Sequence, residues 1–98
     1  MNWKDKENKR LVQAILTLET SDEAERFLRD LMTEGEIDEF SRRLKTAEML
    51  SKNISYSEIE KETGFSSTTV ARVSKWLNSE GNGYKTIIEK LHHNLKQT

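Results

Sequence analysis

Apolar side chains recur at three- and four-residue intervals along most of this chain, and no stretch alternates apolar and polar residues with period two. Leu11, Val12, Ile15, Leu16 and Leu18 share one broad face, which predicts a helix from about Lys4 to Leu18. Ala24, Phe27, Leu28 and Leu31 predict a second near Asp22–Met32. Ile37, Phe40, Leu44, Ala47 and Met49 or Leu50 mark a longer third helix ending about Lys52. Ile87, Ile88, Leu91 and Leu95 mark a last one from Tyr84 to about Gln97. Between them, residues 55–78 read as two short helices joined at Gly64-Phe65-Ser66. The expectation is an all-α protein of about six helices, forming a single domain over residues 1–98.

The polar positions at the ends of these stripes say where each helix starts and stops. Thr33 stands three residues before Glu36, and Ser55 three before Glu58, the spacing at which hydroxyl and carboxylate can cap a helix reciprocally. Thr20-Ser21-Asp22 offer caps for the second helix, Ser21 lacking an answering carboxylate at Ala24; Asp22, Glu23 and Glu25 still suit the positive end of its dipole. Ser66 or Ser67 can cap the second short helix. Gly64 falls where the first short helix must stop, and glycine takes the left-handed conformation there without a Cβ penalty. Asn53 is a left-handed stop for the third helix, and Gly81-Asn82-Gly83 breaks the chain before the last. Ile59, Phe65, Val70 and Val73 are placed to clamp the two short helices together. Two helices around a glycine turn form a helix-turn-helix, whose second helix reads the DNA major groove.

Composition narrows the function classes. Hydrophobic and charged residues each make up 34% of 98 residues, so the apolar stripes are narrow and a second copy is expected to complete the core. With no cysteine there is neither disulfide nor thiolate chemistry, and with no apolar signal core or membrane-length run a cytoplasmic protein is expected. The net charge of −1 conceals a strong asymmetry. Residues 19–62 carry thirteen acidic and seven basic side chains, whereas residues 63–98 carry five basic and two acidic. The positive segment holds the second helix of the motif.

No catalytic or metal-binding constellation is present. His92 and His93 are adjacent, so on a helix they point about 100° apart and cannot chelate one metal as an i, i+4 pair does. The acidic run between positions 22 and 39 is a solvated face, and Gly81-Asn82-Gly83 is too short for a phosphate loop. Neither an enzyme nor a cofactor is expected.

The pattern from Leu31 to Leu77 resembles the Trp repressor superfamily, most closely its YerC/YecD-type branch. The matching residues are Leu31-Met32-Thr33 before an acidic helix start, Arg42-Arg43, Glu48-Met49-Leu50, Ser55-Tyr56-Ser57-Glu58-Ile59, Gly64, and Thr68-Thr69-Val70-Ala71-Arg72. The resemblance implies an intertwined all-helical homodimer that binds double-stranded DNA, with base contacts made largely through water. Position by position, it implies that Ser67, Thr68 and Ala71 face base edges and that Thr69 reaches a phosphate. Ser66, Arg72 and Lys75 complete the expected DNA-binding set. The competing reading of Ser66–Thr69 is a capping cluster alone.

The chain also departs from the family pattern. Arg43 and Arg72 stand where two arginines sandwich the corepressor's indole ring, but Val73 replaces the glycine the ligand slot needs. Trp76 replaces the small hydroxyl that meets the ligand's amino group. Adding an isopropyl group and an indole fills such a slot, so a vestigial pocket of Arg43, Arg72, Val73 and Trp76 is expected, without tryptophan binding. Trp76 or Val73 would occupy the vacated space; an ordinary core or interface role for Trp76 is the alternative. Ser57 and Glu60 replace basic residues that touch the DNA backbone in the repressor, which predicts weaker binding. The acidic middle leaves a second function open, a helical interaction module that keeps the fold without binding DNA.

Overall fold

A computed structural model of the chain describes residues 1–97, with side chains described through His93. Six α-helices appear, and the chain parts into two compact units, Met1–Ile37 and Asp38–Thr98.

The first unit holds α1 (Lys6–Leu16) and α2 (Ser21–Leu31). Asp5 starts α1 by accepting from the Glu7 and Asn8 amides at 3.3 and 3.4 Å. Of the caps offered by Thr20, Ser21 and Asp22, the helix uses the first. Thr20, in an extended conformation, accepts from the Glu23 amide at 3.1 Å. The Glu23 carboxylate reaches back to the Glu19 amide at 3.2 Å, one residue before the cap, and to the Thr20 hydroxyl at 3.5 Å. Leu11, Val12, Ile15 and Leu16 all remain exposed, and neither helix contains a fully buried residue.

The third helix, α3 (Glu34–Ser51), opens with the expected reciprocal cap. The Thr33 amide donates to the Glu36 carboxylate at 2.9 Å, and Thr33 Oγ1 accepts from the Glu36 amide at 3.1 Å. Hydrogen bonds given to the ionised carboxylate by Thr33, from its backbone amide first and its hydroxyl second, hold the Glu36 pKa below its ordinary value.

Most of α3 lies in the second unit with α4 (Tyr56–Thr63), α5 (Ser67–Leu77) and α6 (Gly83–Gln97). Asn53 adopts φ 61° after α3, the expected left-handed stop. Before α6 the left-handed residue is Asn82, at φ 52°, and Gly83 already belongs to the helix. Leu95 of the predicted last stripe lies outside the described side chains.

The core of this unit is small. Ala47, Val73 and Leu77 form its centre, with Leu50, Tyr84 and Ile88 packed against them. Ile59 and Val70 are fully buried where α4 meets α5, so three of the four predicted clamp residues are interior. Phe65 is half-buried. Two buried threonines avoid unsatisfied hydroxyls by donating to carbonyls one turn earlier: Thr46 to Arg42 at 2.8 Å and Thr63 to Ile59 at 2.7 Å.

Gly64 closes α4 at φ 75°, its amide donating to the Glu60 carbonyl at 2.9 Å. An added Cβ there would meet nothing within 4 Å, so the need for glycine is conformational rather than steric. Gly64→Ala is expected to cost about 1–2 kcal/mol in urea unfolding, from the left-handed backbone alone. Glu36→Gln is expected to flatten the acid limb of stability against pH. A lowered folded-state pKa contributes stability above the ordinary value of 4.5, and that stability is lost as pH falls through the lowered one.

Candidate nucleic-acid interface

Helix α5 has two unlike faces. Val70, Val73 and Leu77, at intervals of three and four, point inward and are buried. Thr68, Ala71, Arg72 and Lys75 fall on the other side at the same intervals, and all four are exposed. Ser66 and Ser67 are exposed at the start of the helix. The first turn carries no acidic residue, so the partial positive charge of the helix N-terminus is unneutralised.

The hydroxyl cluster divides into two parts. Ser66 Oγ caps the helix, accepting from the Thr69 amide at 3.3 Å, and lies 3.2 Å from Thr69 Oγ1. Thr69 is half-buried and engaged in this cap. The Ser67 and Thr68 hydroxyls take no part in it. Capping therefore accounts for half of the cluster and leaves two exposed hydroxyls beside the amide-rich end of α5.

Of the four residues of the expected vestigial pocket, Arg43 and Trp76 meet each other, whereas Val73 lies in the core and Arg72 is exposed. The Arg43 guanidinium lies 5.1 Å from the Trp76 ring centroid and 5.2 Å from that of Phe40. Its Nη2 also pairs with Glu39 at 3.2 Å. A cation over an aromatic face contributes about 0.5–2 kcal/mol depending on desolvation. Val73 is fully buried in the core, whereas Trp76 retains 39% exposure at its margin. Of the two residues that could fill the slot, the indole of Trp76 stacks on the arginine and Val73 packs with Ala47 and Leu77. Arg72 is exposed and forms no ion pair among the described residues. Tyr84 lies in the same neighbourhood; burial raises its phenol pKa, opposed in part by the Arg43 charge.

Two contributors, Phe40 and Arg42, were given no part in the site by the sequence reading. Phe40 sits three residues before Arg43 on α3, a spacing that brings side chains together and makes the contact findable in principle. The contact of Arg42 with the turn has no such local signal. Its guanidinium lies 5.0 Å from the Phe65 centroid, and its Nη1 donates to the Thr63 carbonyl at 3.4 Å.

Comparison with known proteins adds independent information. Residues 6–92 match the family described as Trp repressor protein. The chain is 37% identical over 86 residues to the uncharacterised protein YerC of Bacillus subtilis, covering 88% of this chain and 83% of YerC. Among solved structures, a TrpR-like protein from Eubacterium eligens is 38% identical, with a TM-score of 0.86 over 92% of this chain and 93% of that one. A candidate Trp repressor from Staphylococcus aureus is 34% identical, with a TM-score of 0.85 over 94% and 95% of the two chains.

The division of the hydroxyl cluster can be tested by comparing stability with binding. Ser66→Ala is expected to cost about 0.5–2 kcal/mol in chemical denaturation through loss of the cap. The double substitution Ser67→Ala, Thr68→Ala is expected to stay within about 0.5 kcal/mol of wild type while weakening duplex binding.

Proposed function

This chain belongs to the Trp repressor family, and on that footing we propose that it is a sequence-specific DNA-binding transcriptional regulator, read as a repressor. It acts as a homodimer, with α5 docked in the major groove and without tryptophan as corepressor. The observation that carries this reading is the outer face of α5. Ser67, Thr68, Ala71, Arg72 and Lys75 are exposed together on a helix whose opposite side is locked in the core. Hydroxyls beside helix-terminal amides suit phosphate and water-bridged contacts, and Arg72 and Lys75 supply charge. Ser66 and Thr69 position this face through the cap.

The homodimer is supported by the apolar surface the single chain leaves bare, including Leu11, Val12, Ile15 and Leu16 on α1 and Ile87 and Leu91 on α6. A two-fold dimer sets two recognition helices about 34 Å apart, one turn of B-DNA. Independence from tryptophan is supported by the stacking of Trp76 on Arg43, which gives that cation an indole belonging to the chain itself.

A second reading, a helical interaction module, is favoured by one observation. On α4, Ser57 and Glu60 stand where the family resemblance puts basic residues that touch the DNA backbone, in a middle segment dominated by acidic residues.

Fluorescence anisotropy against random and genomic duplexes at several salt concentrations separates the two. Two to four phosphate contacts per protomer correspond to a log–log salt slope of about −4 to −7 for a dimer. That slope, with a sequence-selective subset and no response to added L-tryptophan, is the expected result. No binding at low salt would leave the interaction module. Saturable heat on titrating L-tryptophan would overturn ligand independence.

A further inference from the structure

The adjacent arginines of α3 grip the helix-turn-helix at both ends of α5. Consecutive residues on a helix point about 100° apart, so Arg42 and Arg43 reach different targets from one stretch of backbone. Arg42 reaches the turn. Thr63 is the last residue of α4, and its carbonyl has no donor within the helix, so the Arg42 guanidinium supplies one at 3.4 Å while lying 5.0 Å from the Phe65 centroid. Phe65 immediately precedes Ser66, the cap of α5. One further α3 group reaches this end: Lys45 pairs with Glu62 of α4 at 3.2 Å. Arg43 reaches the other end, where Trp76 is the penultimate residue of α5.

We propose that Arg42 and Arg43 are positioning residues that together fix the axis of α5, one holding the turn before it and the other the indole near its end. The anchored residues lie eleven positions apart, about 16 Å along a helix. A rigid rod held at one point can swing, and one held at two cannot. The core contacts of Val70, Val73 and Leu77 bury α5 through a hydrophobic term that carries no direction of its own. The two guanidinium–ring contacts, one reinforced by a backbone hydrogen bond, supply direction. This inference rests on the proposed docking of α5 in DNA and extends it by assigning the residues that set the docking angle.

The test compares R42K, R43K and the double variant, which keep every charge but lose the planar stacking surface. Binding is measured to a duplex selected in vitro and to random duplex of equal length. Each single variant is expected to lose at least tenfold affinity for the selected duplex and less than twofold for the random one, with an unchanged salt slope. The double variant is expected to fall little below the weaker single, because releasing either end frees the helix. Wild-type affinity in either single variant, or an equal loss on both duplexes, would overturn the proposal. If R42K melts too low to assay, F65L removes the same ring contact and carries the same expectation. The indole N–H resonance of Trp76, with Trp3 as internal control, gives a readout independent of DNA. It is expected to shift in R43K and stay in place in R42K. An unmoved resonance in R43K would overturn the brace even where the wild type binds no duplex, an outcome that refutes only the DNA-binding reading.

Discussion

Everything on the functional side of this protein depends on the left-handed turn at Gly64. The turn ends α4 and redirects the chain so that Ile59 before it and Val70 after it meet in one interior. Only once that junction is made does α5 acquire a buried face, and only then is its outer face defined. The capping serine, the exposed hydroxyls and the cations beyond them take their positions from a single residue with φ 75°. The neighbouring groups defend the turn: the Thr63 hydroxyl accepts from the Phe65 amide at 3.2 Å, and Arg42 serves the Thr63 carbonyl.

The helices were legible in the sequence because their signals are local. Thr33 with Glu36, Gly64 and Asn53 each act within one turn of where they stand and do in the structure what their spacing indicates, while Ser55 makes one half of its expected cap, accepting from the Glu58 amide at 3.2 Å. The second cap stayed open among Thr20, Ser21 and Asp22 because all three can cap; only the backbone conformation decides which side chain faces the helix. Asn82 took the left-handed position between two glycines for a related reason, since asparagine tolerates that conformation and Gly83 was recruited into α6.

The site was legible in part. The exposed face of α5 follows from helical periodicity once Val70 and Val73 are known to be interior. The partners of the two arginines do not. Arg42 and Phe65 are 23 positions apart, and Arg43 and Trp76 are 33 apart, distances at which no periodicity speaks. Sequence resemblance drew attention to Arg43 and Trp76 separately, while their contact, with Phe40 on the other ring, emerged only in three dimensions. The split between Val73 in the core and Trp76 at its edge was likewise open until burial decided it.

The lack of any fully buried residue in α1 and α2 has a consequence for how the chain comes apart. Cooperative opening units are ranked by how much apolar surface each re-exposes, and these two helices have little of their own to lose. They form the low rung of the molecule's stability ladder, while the Ala47–Val73–Leu77 cluster forms the high one. A partner that covered Leu11, Val12 and Ile15 would raise the order of the N-terminal helices by mass action. In a dilute solution the helix-turn-helix can persist as a folded island while the segment ahead of it frays.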